Sequence, residues 1–315
     1  MLDFTTEESR LDSKFVLSLI VASGTVFAQQ SVTLSGHSRD VNAVACSADG
    51  RMIASGADDE KTMLWDVATR QQSAAVGGGG SVLSVAISRD GSRIASGERY
   101  HKVNLLDSSG KVIKVLEGHE AAVIATGFSG DGKTAFSFSL DGNLRMWDAA
   151  TGAPQGSVKT PLDSYSAAVF SADGKWLVGG SSGGNLYLYN VAMKKPGIKV
   201  QPGTMVRAVA FSPDGNTVAA ALGNETVTLY STADGKAIGA VAGVEANGLA
   251  YSPDGRRLAA AGHDGEVKVI DVASRVVTAS MKGHGRSVRA VCFLPDGHAV
   301  ASGSLDMTVR IWPVH

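Results

Sequence analysis

Residues 36–66 read GHSRDVNAVACSADGRMIASGADDEKTMLWD, and at the centre of this stretch stands the turn Ser47-Ala48-Asp49-Gly50. In such a turn the Asp carboxylate bonds the local backbone and the Gly takes a positive φ, joining two strands of alternating character. The Ser-x-Asp-Gly pattern returns at residues 88–91, 129–132, 171–174, 212–215 and 252–255, and residues 294–297 supply a seventh copy with Leu294 in place of Ser. The turn Asp therefore falls at 49, 90, 131, 173, 214, 254 and 296, with spacings of 41, 41, 42, 41, 40 and 42. Chance does not produce that period. The chain is built from seven copies of one supersecondary unit.

Working outward from the turn, the same period governs a second position. About sixteen residues after each turn Asp stands Trp65-Asp66, Leu106-Asp107, Trp147-Asp148, Tyr189-Asn190, Tyr230-Ser231, Ile270-Asp271 or Trp312-Pro313. Twelve residues before the turn Asp, three copies carry His37, His119 or His284, each preceded by Gly. These residues resemble the WD40-repeat family, whose units run from a Gly-His start to a Trp-Asp end with four strands to a propeller blade. The resemblance covers residues 29–315 and implies an all-β, seven-bladed WD40-type β-propeller.

The resemblance also implies a buried hydrogen-bond chain of His, Ser, Asp and Trp within a blade. The matching sets are His37, Ser55, Asp59 and Trp65; His119, Ser137, Asp141 and Trp147; and His284, Ser302, Asp306 and Trp312. The need is physical, because a buried carboxylate and imidazole must be paired and an indole N–H wants an acceptor. The other four blades lack both His and Trp and are expected to rely on apolar packing alone.

Counting strands places the ring closure. The last repeat ends its third strand at Trp312, so its fourth strand must come from residues 30–34, which precede Gly36-His37 as residues 112–116 precede Gly118-His119. This removes an exposed sheet edge. Upstream, the apolar stretch at residues 15–27, followed by Val26-Phe27-Ala28 before Gln29, resembles a bacterial secretory signal. It is too short to span a bilayer as an anchor. The acidic residues Asp3, Glu7, Glu8 and Asp12 do not suit such a signal, and a disordered extension whose apolar part packs on the domain is the other reading. Residues 1–28 are thus expected to be a signal peptide or a disordered extension, and the protein to be periplasmic or secreted, with a cytoplasmic location as the alternative.

The two cysteines, Cys46 and Cys292, lie in the first and last repeats, which a closed ring makes neighbours. They sit one register apart, three and four residues before their turn Asp. Alternation along a strand then points them to opposite faces of equivalent strands and predicts that they stay unpaired.

Composition narrows the function. With 44% apolar and 19% charged residues the chain has ample core material, and 38 glycines suit short strands and tight turns. Its 29 basic and 30 acidic residues carry no basic run, so the electrostatic footprint of a nucleic-acid binder is missing. Residues 127–134, GFSGDGKT, fit a phosphate-loop pattern, and residues 180–184, GSSGG, fit a nucleophile-elbow pattern. Both need a helix to follow, and here strands are expected. His101, His263, His298 and His315 lack carboxylate or cysteine partners at metal-ligand spacing. No cofactor, metal or catalytic residue is therefore expected.

The expectation is a non-catalytic scaffold, monomeric by itself, that holds another protein on a propeller face. The alternative is an exported propeller enzyme, or an accessory subunit of a redox or cell-envelope enzyme, with chemistry at the axial channel. Indexed by the repeat, Leu83, Ile124 and Leu140 bring apolar side chains to one face in adjacent blades, flanked by Arg99. They either form a partner surface or plug the channel mouth.

Overall fold

The computed structural model describes residues 31–160 and 165–314. It is all-β, with seven four-stranded antiparallel sheets arranged as the blades of one closed propeller. Blade 1 comprises Val41–Cys46, Met52–Ala57, Lys61–Asp66 and Gln71–Gly77, lettered a to d from the axis outward. The same order repeats through blade 6, and each a strand lies beside the a strands of its two neighbours, blade 7 beside blade 1.

Each blade carries a burial gradient that follows from its residues. The b strands, such as Met52–Ala57 and Ala299–Ser304, are buried on both faces because a blade is covered on either side by its neighbours. Near the axis the blades converge, so these strands are built from Ala, Ser and Gly. A Cβ on Gly56 would sit 2.3 Å from Val82 of blade 2, and one on Gly303 would sit 2.6 Å from Val41 of blade 1. The d strands, such as Gln71–Gly77, are mostly exposed and carry polar residues.

The repeated turns explain the sequence signal. In each of six blades the Ser hydroxyl donates to the Asp carboxylate two residues on, at 2.6 Å for Ser47 and Asp49, and the Gly takes φ near +70°. The Ser88 hydroxyl, together with the backbone N–H and hydroxyl of Ser92, holds the Asp90 carboxyl down at about 2. The phosphate-loop look-alike is one of these turns, between strands Val123–Phe128 and Thr134–Ser139, and no helix follows it. Residues 180–184 lie at the end of strand Trp176–Ser181 and in the turn after it.

Blade 7 is closed by the N-terminal part of the chain. Strand Val32–Ser35 pairs with Thr308–Pro313, Val32 opposite Ile311 and Leu34 opposite Val309. The strand starts two residues later than the 30–34 expected, and Gln30 lies outside the described residues, as do residues 1–28 and His315.

The cysteines depart from expectation. Cys46 on strand a of blade 1 and Cys292 on strand a of blade 7, Val288–Phe293, form a disulfide with Cα atoms 5.9 Å apart. Their register was read correctly, but its consequence was reversed. Consecutive blades stack front to back, so the side chains that meet between them come from opposite faces of equivalent strands.

Among the described residues no helix forms, so none is long and apolar enough to cross a membrane.

Candidate functional site

Three blades hold a complete polar chain. The Ser55 hydroxyl lies 2.8 Å from Trp65 Nε1 and 2.7 Å from His37 Nε2, and His37 Nδ1 lies 3.0 Å from Asp59. Blade 3 repeats this with Trp147, Ser137, His119 and Asp141, and blade 7 with Trp312, Ser302, His284 and Asp306, all within 2.7–2.9 Å. The donor inventory fixes the tautomer. An indole can only donate, so the Ser oxygen accepts from Trp and gives its own proton to His Nε2, and Nδ1–H then donates to the Asp. Burial holds all three imidazoles below their ordinary value, and the Asp partner only partly offsets it. Burial works the other way on Asp141, but the backbone N–H groups of Glu120 and Asn143 and the His119 bond outweigh it and keep this carboxyl low. These histidines and carboxylates are engaged with one another inside their blades.

Blade 2 replaces the chain instead of dispensing with it. Gly78 occupies the place that His37 holds in blade 1, and the space left by the imidazole is filled by the carboxyl of Glu98, which is fully buried and accepts a bond from Asn104 Nδ2 at 2.6 Å. A Cβ on Gly78 would fall 1.7 Å from Glu98 Oε1. The second carboxyl oxygen of Glu98 has no hydrogen-bond partner, and desolvation raises the pKa of this carboxyl from its ordinary value. Apolar packing alone was expected here. The missing signal was the pairing of Glu98 with Asn104, which sit on adjacent strands with nothing in the repeat pattern to mark them.

The face that carries the connections from strand d to the next strand a, and from b to c, has its own seven-fold device. In every blade the pairing of strands a and b slips by one residue after its first pair, leaving a bulged residue between, as Asn42 lies between Val41 and Ala43. A bulge re-aims a side chain. The bulged residues line the mouth of the axial channel, a cavity of about 570 Å³.

At this mouth the sequence-predicted residues separate. Leu83 and Ile124 are the bulged residues of blades 2 and 3 and stand half-buried in the cavity wall. Leu140 and Arg99 lie outside it on the b-to-c turns and are exposed, Leu140 at 48%. Beside Arg99, Tyr100 is 60% exposed, and a Cβ on Gly80 would meet its ring at 2.7 Å. Sequence reasoning missed Tyr100, whose only signal was a large aromatic at a turn position otherwise held by small or polar residues.

The model of the WD domain, G-beta repeat, matches residues 28–66, 110–148, 198–231, 240–271 and 275–313, together more than half of the chain. The chain belongs to the WD40 repeat family. Each matched segment takes in all or part of the outer strand of one blade and ends in strand c of the next, the same stagger by which Val32–Ser35 closes the ring of this WD40 propeller. Among curated proteins it is similar to the vegetative incompatibility protein HET-E-1 of Podospora anserina, 44% identical over 46 residues, covering 15% of this chain and 3% of that protein. It is also similar to pre-mRNA-processing factor 19 of Bos taurus and of Homo sapiens, each 43% identical over 53 residues, covering 17% of this chain and 10% of theirs. The chain thus spans a tenth or less of the length of these relatives. WD40 propellers in general bind other proteins and are not catalysts.

Proposed function

We propose that this WD40 propeller is a non-catalytic scaffold that holds another protein on the face bearing the bulged residues. The observation that carries this reading is the concentration of uncovered apolar side chains there. Leu83 and Ile124 stand at the channel mouth, with Tyr100 and Leu140 exposed on the turns of the same two blades. Apolar surface gathered on one face of a folded domain marks a binding site. The histidines and carboxylates of blades 1, 3 and 7 support it from the other side, since they are spent on holding the blades together.

The experiment is covalent footprinting of the immobilised propeller with and without captured partner. Protection of Tyr100 and of the b-to-c turns supports the reading, and protection confined to the Ser-x-Asp-Gly turns on the opposite face contradicts it.

We also propose that the protein matures in an oxidising compartment outside the cytoplasm. The Cys46–Cys292 disulfide supports this, because such bonds persist where thiols are not kept reduced. Mass analysis of protein from its native host tests it: residues 1–28 removed and no free thiol are expected, and an intact terminus with two free thiols contradicts it.

A further inference from the structure

The seven bulged residues are not equivalent once their hydrogen bonds are followed. Asn42 donates to the Val82 carbonyl of the next blade at 3.2 Å, Asn247 donates to that of Val288 at 3.1 Å, and the Ser166 hydroxyl bonds that of Val206. These three polar side chains tie each blade to its neighbour. The remaining four, Leu83, Ile124, Arg207 and Arg289, make no such bond.

Their places around the ring are what matters. Leu83 and Ile124 belong to blades 2 and 3, and Arg207 and Arg289 belong to blades 5 and 7. In a seven-membered ring the point opposite the boundary of blades 2 and 3 is blade 6, so the two guanidinium groups flank the position diametrically across the channel from the aliphatic pair. Arg289 is exposed and has no hydrogen bond or ion pair among the described residues. Arg207 is held at its rim by Glu245, 3.4 Å from Nη2, while its Nε is buried without an acceptor. Met205 lines the same cavity beside Arg207.

We infer that the channel mouth is a subsite for an acidic side chain flanked by aliphatic residues, presented by an internal segment of the bound protein. The aliphatic side chain packs on Leu83 and Ile124, and the carboxylate reaches across to the guanidinium of Arg289, with that of Arg207 beside it. A guanidinium offers a carboxylate paired donors, and a half-enclosed cavity screens that contact less than open surface does. This inference rests on the proposed docking face and adds the chemistry of what enters it.

The probe is a twelve-residue, N-acetylated and C-amidated peptide of alternating Leu and Glu, compared by fluorescence anisotropy with its Gln and Lys counterparts. The Glu peptide is expected to bind about tenfold or more tightly than the Gln peptide, the size of one charged hydrogen bond. The Lys peptide is expected not to bind. Arg289→Gln is expected to remove most of the preference for Glu over Gln, and Leu83→Ser to weaken both peptides alike, with the fold of each variant checked by its thermal unfolding. Equal binding of the Glu and Gln peptides, binding of the Lys peptide, or a Glu preference that survives Arg289→Gln overturns the inference. If, in addition, the natural partner is still lost on changing Leu83 and Ile124 but kept in Arg289→Gln, the docking face stands and only the acidic assignment fails. Tight binding of a Leu-rich peptide solely when its terminal carboxylate is free would also overturn it, moving the site to a chain terminus.

Discussion

Cys46 of blade 1 is bonded to Cys292 of blade 7, joining positions 246 residues apart across the seam between the last blade and the first. The seam is also closed by the pairing of Val32–Ser35 with Thr308–Pro313 and by the packing of Val41 against Gly303. The bond therefore clasps a ring that already has a non-covalent latch.

Removing the clasp should weaken the fold without opening it. The paired change Cys46→Ser and Cys292→Ser is expected to lower stability by about 2–4 kcal/mol, chiefly by releasing the unfolded chain. Urea unfolding with and without reductant checks this. The wild type should shift on reduction and the double variant should not.

Asp141 and Asp264 offer a paired test of the polar chains. Asp141 accepts from His119 at 2.9 Å in a buried setting, and Asp141→Ala should cost about 1–3 kcal/mol because the imidazole loses its acceptor. Asp264 in blade 6 faces no His, and its carboxylate pairs with Lys268 at 3.0 Å while half-exposed. Asp264→Ala should cost clearly less in the same denaturant titration.

Glu98 gives a pH dependence of opposite sign to most carboxylates. Burial raises its folded-state value above 4.5, so the native state holds its proton more tightly than the unfolded chain does, and stability is lost as pH rises from 4.5 through the folded value. Glu98→Gln keeps an acceptor for Asn104 and carries no charge. Its thermal midpoint should therefore exceed that of the wild type by a margin that grows as pH is raised from 4.5 toward neutrality.

The three chain histidines titrate in a range that Glu98 can overlap and are best measured in the Glu98→Gln background. Their folded values lie below 6.5, so the unfolded chain takes up protons first. Their contribution is complete above 6.5 and is lost as pH falls through the folded values. The low-lying carboxyls of Asp141 and Asp306 add a second loss below 3.8. Thermal unfolding should show a plateau above about pH 7 and a decline below it, steepening under acid conditions.

Legibility followed repetition. The turn Asp residues and the Gly-His and Trp positions recur, so blade number, ring closure and the twelve residues of the three polar chains could be indexed without coordinates. What occurs once could not be. Glu98 and Asn104 meet only because Gly78 leaves room for them, and the contact between Cys46 and Cys292 depends on how blades stack, which strand alternation alone does not contain. The bulge at Asn42 and its six counterparts does recur, yet it leaves no mark on residue spacing. The positions of Leu83 and Ile124, with the channel mouth as one of two places for them, were thus readable, and the bulge that aims them there was not.

The claim that this face holds a partner is tested most directly by the double change Leu83→Asp and Ile124→Asp, read as capture of protein from cell extract by the purified propeller. The control is Val276→Asp, at a side chain 56% exposed on the outer strand of blade 6. With thermal unfolding of both variants confirmed cooperative, the double variant should lose the captured band and the control should keep it. Undiminished capture by the double variant would contradict the account and place the partner elsewhere on the molecule.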